Sequence, residues 1–195
     1  MAPSQKQFDK ASEGPQLPIF HYQGDIHLIN RVEDVAPAVQ ELQKSAILGF
    51  DTETRPAFKK GESYLPCLLQ LADEMKCYLF RLNKIGMPQE IVELLADEET
   101  LKVGVAIRDD LVGLKKRETF RPKGFIEIAD LAKEQGHHKL GLRSLAEVLM
   151  EVKVSKKMRT SNWEKKELTP QQLAYAAADA HLGLKLYQIL KKNSL

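Results

Sequence analysis

Ile47-Leu48-Gly49-Phe50-Asp51-Thr52-Glu53-Thr54 is an apolar run that ends in two acids two positions apart. Short, continuous apolar runs suit strands covered on both faces, so residues 46–50 read as a buried strand. Alternate residues of an extended strand point the same way, which puts Asp51 and Glu53 side by side at its exit. Two hard oxygen ligands converge there. Mg²⁺ or Mn²⁺ suits such a pair, because a divalent cation offsets the repulsion between like charges held in a cleft. Solvated acids are common at strand ends, so Asp-x-Glu carries this reading only in company.

Around this strand the pattern is that of an α/β domain. Residues 25–29 alternate polar and apolar, and Asn30-x-x-Glu33 is a capping-box pattern before a helix with Val35, Val39 and Leu42 on one face. Pro37 argues for a short helix. Residues 68–72 and 77–82 are apolar runs either side of Asp73-Glu74-Met75-Lys76, which reads as an antiparallel hairpin. Pro88 opens a helix through Leu95, residues 101–107 read as a buried strand, 110–117 as a helix and 125–128 as a further strand. Residues 142–150 are helical. Thr169-Pro170-Gln171-Gln172 then starts a long helix to about Lys191, with an N-cap, a proline at the first position and a Gln at the third. The expected architecture is a mixed five- to six-stranded sheet flanked by helices. Residues 1–17 read as a flexible tail and residues 18–195 as one domain.

The 195 residues are 43% hydrophobic and 29% charged, enough for one core that folds without disulfides or structural metal. Cys67 and Cys77 form no CxxC pair and the chain opens without an apolar leader, so an intracellular, cytoplasmic setting is expected. No apolar run approaches the ~18 residues of a membrane span. The net charge of +2 does not announce a nucleic-acid partner, but its distribution is uneven. Residues 151–166 hold six basic residues against two acids, and Lys156, Lys157, Arg159 and Trp163 are candidates for phosphate contact and base stacking. Short charge runs are also ordinary surface, and Trp163 is equally suited to packing.

Two further acidic motifs lie downstream. Tyr175-Ala176-Ala177-Ala178-Asp179 falls inside the last helix, where an i, i+4 spacing sets phenol and carboxylate on one face. Its three alanines leave the helix slim, so that Asp179 could reach the strand-borne pair. Gly104-Val105-Ala106-Ile107-Arg108-Asp109-Asp110 runs from a buried strand into a helix, and the residues themselves leave open which aspartate matters.

In this order the blocks ILGFDTET, VGVAIRDDL and QQLAYAAADAHLGLKLY resemble the DEDD superfamily of 3′→5′ exonucleases in its tyrosine subclass, the group of ribonuclease D and Werner-syndrome-type exonuclease domains. PCLLQLADEMKCYLF, GLRSLAEVLMEV and TSNWEKKELT are similar to family sequence too, so the likeness spans about residues 25–190. The resemblance implies a ribonuclease H-like fold and hydrolysis of the 3′-terminal phosphodiester of DNA or RNA, releasing nucleoside 5′-monophosphates. It also implies two Mg²⁺ or Mn²⁺ ions held by Asp51, Glu53, Asp110 and Asp179, with Tyr175 orienting the attacking water. Family spacing from Gly104 favours Asp110 over Asp109. The implied partner is nucleic acid with a free 3′ end. The alternatives are a non-catalytic nucleic-acid-binding module on the same fold and an endonuclease of the wider ribonuclease H-like group.

Overall fold

A computed structural model describes residues 16–193. The expected tail at residues 1–17 falls almost wholly outside the described residues. Six strands form one mixed sheet: β1 (Asp25–Ile29), β2 (Ile47–Glu53), β3 (Leu68–Ala72), β4 (Lys76–Phe80), β5 (Leu101–Gly104) and β6 (Phe125–Glu127), in spatial order β1-β4-β3-β2-β5-β6. β2 lies inside the sheet, antiparallel to β3 and parallel to β5, so its residues are covered on both faces. The expected 68–72/77–82 hairpin is the antiparallel β3–β4 pair.

Seven α-helices flank the sheet among the described residues: α1 (Val35–Leu42), α2 (Leu82–Ile85), α3 (Gln89–Ala96), α4 (Ile107–Arg117), α5 (Ile128–Glu134), α6 (Leu142–Met150) and α7 (Pro170–Lys192). On one face Leu48, Phe50, Leu69, Leu71 and Phe80 meet apolar residues of α1, α3 and α4. On the other, Leu68, Ala72 and Leu79 meet Ala176, Ala177 and Ala180 of α7, while Val103 meets α5, α6 and the second half of α7. No helix among the described residues is long and apolar enough to cross a membrane.

The start of α7 follows from its residues. The Thr169 side chain accepts from the Gln172 N–H at 3.2 Å, and the Gln172 side chain accepts from the Thr169 N–H at 3.1 Å, a complete capping box. The expected box at Asn30 and Glu33 does not form. Glu33 pairs with Arg31 instead, a 3₁₀ turn occupies Val32–Asp34, and α1 begins at Val35 with Pro37 in its first turn, where a missing N–H is tolerated.

The expected strand at 101–107 ends early, at Gly104. Ala106 takes a left-handed conformation with φ 62°, which breaks the strand and starts α4 at Ile107 rather than Asp110. Glu127, at the end of the neighbouring β6, holds this turn by accepting from the Ala106 and Ile107 N–H groups at 2.9 Å each. The same carboxylate caps α5 through the Ala129 N–H, and neither α5 nor the one-turn α2 was expected from the sequence.

Gly49 sets the depth of the fold. A Cβ built on it would sit 2.0 Å from the Ala180 carbonyl oxygen, so α7 crosses β2 with backbone against backbone. Strand alternation places Gly49, Asp51 and Glu53 on the same face, and the helix that lies over Gly49 therefore overhangs the two acids. Gly49→Ala is expected to lower the unfolding free energy by about 2–3 kcal/mol through overpacking. Denaturant unfolding reads this directly, and unchanged stability would contradict the close crossing.

Candidate active site

β2 contributes Asp51 and Glu53, and α7 contributes Asp179 and, one turn earlier, Tyr175. One carboxylate oxygen each from Asp51, Glu53 and Asp179 lie within 4.8 Å of one another. Glu53 and Asp179 are buried and Asp51 is half-buried. Asp179 Oδ1 has no hydrogen-bond partner although it is shielded from solvent. Buried polar atoms are nearly always satisfied, so an unpaired carboxylate oxygen facing two further acids points to a positive ligand.

Asp110 comes from the first turn of α4, beyond the end of the sheet, and accepts a hydrogen bond from the Thr52 hydroxyl. Thr52 alternates with Asp51 and Glu53 and so faces the other side of β2; Asp110 approaches from there. It is half-buried and raises the pKa values of both β2 acids, whereas Asp109 is exposed. Of the two aspartates left open by the sequence, Asp110 is the one that borders the cluster.

Electrostatics record the crowding. Burial, then Asp179, Asp110 and Glu53, push the Asp51 carboxyl well above its usual range. Burial together with Asp179 and Asp110 raises Glu53 to about 9, although Arg143 pulls it down. Burial raises Asp110 to about 6 against the Thr52 hydrogen bond. Burial raises Asp179 to about 6 as well, opposed by the Tyr175 hydroxyl and by Arg143. Without a cation this arrangement favours protonated acids.

Arg143, on α6, was not among the sequence candidates. Its Nη2 donates to the Tyr175 hydroxyl oxygen at 2.8 Å, and its buried Nε has no partner. Burial, then Asp179 and Glu53, raise the Tyr175 pKa, which keeps the phenol protonated and able to donate to Asp179. A relay of donors thus runs from Arg143 through Tyr175 to Asp179. A basic residue on an amphipathic helix gives no sequence signal of this kind, because only the packing of α6 on α7 turns it inward.

The basic segment divides. Lys156, Lys157 and Arg159 are exposed, and Lys157 borders a cavity of about 230 Å³ whose wall includes Tyr175, Ala178 and Asp179. Trp163 must be corrected as a base-stacking candidate: it is fully buried, with its ring 6.0 Å from that of Tyr175 and packed beside Cys67, Leu68 and Leu168. A side chain with no exposed face cannot stack on a base. It supports the phenol instead.

The family model described as 3′-5′ exonuclease matches residues 26–194. The chain belongs to the 3′-5′ exonuclease family. An Arabidopsis thaliana 3′-5′ exonuclease is 36% identical over 154 residues, covering 75% of this chain and 53% of the relative. The mouse bifunctional 3′-5′ exonuclease/ATP-dependent helicase WRN is 30% identical over 192 residues, covering 89% of this chain and 13% of that protein. The chain therefore spans about half, or far less, of the curated relatives it matches. Among solved structures, the Nibbler EXO domain of Aedes aegypti superimposes with a TM-score of 0.80 at 20% identity, over 89% of this chain and 91% of that one. The fold is that of the DEDD exonucleases.

Raised carboxyl pKa values make the folded state the better proton binder between the ordinary carboxylate range, about 4, and the Glu53 value of about 9. Stability of the metal-free protein should therefore fall as pH rises through this window, and Asp179→Asn should recover at least about 1 kcal/mol at pH 8. Thermal unfolding in EDTA at pH 5 and pH 8 measures both effects. Equal stability at the two pH values would contradict the crowding of the acids.

Proposed function

We propose that this chain is a divalent-metal-dependent 3′→5′ exonuclease that hydrolyses the 3′-terminal phosphodiester of DNA or RNA and releases nucleoside 5′-monophosphates. The observation that carries the reading is the meeting of Asp51, Glu53 and Asp179 within 4.8 Å, beside Tyr175, in a member of the 3′-5′ exonuclease family. The donor set fits hard divalent cations: carboxylate oxygens alone, crowded and incompletely hydrogen-bonded. Asp51, Glu53 and Asp179 would hold Mg²⁺ or Mn²⁺, with Asp110 completing a two-ion set. The ions, when bound, lower the pKa of coordinated water and stabilise charge on the phosphoryl and leaving oxygens.

The chain's own residues then divide the work. Tyr175 stays a neutral phenol whose one hydrogen goes to Asp179, so its oxygen orients the attacking water as an acceptor and does not act as an ionised base. Arg143 fixes that phenol from behind, and its charge lies beside acids whose repulsion would otherwise splay them. Lys157, on the wall of the cavity that Tyr175 and Asp179 share, would hold substrate phosphates, with the exposed Lys156 and Arg159 adding to its charge. A non-catalytic binding module gains nothing from four acids set together, since they repel a polyanion. Free, buried Cys67 and Cys77 fit an intracellular, reducing setting.

The test is a time course on 5′-labelled DNA and RNA oligomers with Mg²⁺, Mn²⁺ or EDTA. A metal-dependent ladder that shortens from the 3′ end is expected, reduced at least about 100-fold in Asp51→Ala; internal cuts or full activity in the variant would overturn the reading. Tyr175→Phe and Arg143→Gln should lower kcat roughly 10- to 100-fold with KM nearly constant, through loss of alignment. Arg143→Gln should leave Mn²⁺ affinity equal or tighter in calorimetry, because a positive charge beside the acids is gone. Arg143→Lys restores the charge without the planar fork and should recover only part of kcat.

A further inference from the structure

The segment joining β2 to β3 leaves the sheet directly after Glu53 and returns at Cys67, whose N–H donates to the Glu53 carbonyl at 2.8 Å. Its base borders the acids: Thr54 and Ser63 to Pro66 wall a cavity of about 360 Å³ together with Asp109, Asp110 and Lys116. Its tip is a tight turn in which the Glu62 N–H donates to the Lys59 carbonyl at 3.2 Å, and Gly61 supplies the required positive φ of 88°. Phe58 stands immediately before this turn and is 81% exposed, well above the other exposed large apolar residues among those described. Lys59 and Lys60, the next two residues, are exposed as well.

The arm carrying Phe58 is braced. The Arg55 guanidinium lies 4.7 Å from the centre of the Tyr64 ring and pairs with Glu164 at 3.5 Å, linking the loop to the turn that holds Trp163 under Tyr175. Phe58 is five residues from Glu53, so it lies within roughly 17 Å of the acids. A large exposed aromatic ring beside two cations makes a surface unsuited to an apolar partner and suited to a polyanion with flat, stackable faces.

Resting on the exonuclease reading above, we infer that Phe58, Lys59 and Lys60 form a grip for single-stranded nucleic acid approaching the acids: Phe58 stacks on a base and the two lysines hold flanking phosphates. Base stacking on one ring accepts any base, so the grip does not select sequence. The lysines act by counterion release, which makes their share dependent on salt.

Cleavage of a 5′-labelled single-stranded oligomer and of bis(p-nitrophenyl) phosphate, both with Mn²⁺, tests the grip. The second substrate is a single diester with no flanking nucleotides or further phosphates for the grip to hold. Phe58→Ala should lower the ratio of kcat/KM on the oligomer to that on the small diester by about 5- to 150-fold. Phe58→Trp should restore the ratio and Phe58→Leu should not. Replacing both lysines by Gln should reduce the slope of log KM against log salt by about 1.4. An unchanged ratio in Phe58→Ala, or full rescue by Leu, overturns the grip. If wild type cleaves neither substrate, the exonuclease reading fails by itself, and anisotropy of a labelled 12-mer still decides the grip: equal affinity of wild type and Phe58→Ala overturns it.

Discussion

Like charges held together, with Arg143 offsetting only part of their repulsion, are the constraint on which this structure turns. Asp51 and Glu53 leave β2 on one face, and α7 presses Asp179 onto them because Gly49 lets the helix backbone rest on the strand. Hydrophobic packing on both sides of the sheet supplies the force. Phe50, Leu69 and Leu71 bury against one layer of helices, and the alanines of α7 bury against Leu68 and Ala72. Burial then raises the acids' pKa values, so the folded protein holds a local instability that protons or cations relieve.

The residues around the cluster tune that instability rather than create it. Thr52, on the opposite face of β2, ties down Asp110, and the Asp110 position depends in turn on the Ala106 turn that Glu127 clamps. Arg143 tempers the charge of Glu53 and Asp179 while holding Tyr175, and Trp163 packs beneath the same phenol. β2 and α7 therefore supply the three clustered acids, while α4, α6 and β6 act on them through Asp110, Arg143 and the Glu127 clamp on the Ala106 turn. Sites assembled this way keep their geometry when substrate arrives, which is what alignment of an attacking water requires.

Much of this was legible in the sequence because it depends on local rules. The apolar run before Asp51, the i, i+2 acids, the capping box of α7 and the i, i+4 pair of Tyr175 and Asp179 are short-range patterns, and each appears in the structure in the expected element. Long-range features were not legible. The inward turn of Arg143 requires α6 to pack on α7. The end of β5 at Gly104 depends on a carboxylate from β6 that lies 21 residues from the Ala106 N–H it accepts. Trp163 sits among lysines in the sequence, yet in space its ring lies between the sheet and α7, since a chain segment rich in charge can still fold one large apolar side chain inward. The local pattern alone does not separate Asp109 from Asp110, a choice in which only the spacing of the resembling family favoured Asp110. The helical turn separates them, by exposing one and setting the other beside Thr52.

The central claim is that the meeting of β2 and α7 is a cation site. Anomalous diffraction from a crystal soaked with Mn²⁺ tests it most directly. The account predicts a manganese peak bonded to carboxylate oxygens of Asp51, Glu53 and Asp179, absent from an Asp179→Asn crystal treated in the same way. A wild-type crystal with no manganese at these acids, from protein that degrades nucleic acid in the same solution, would contradict it.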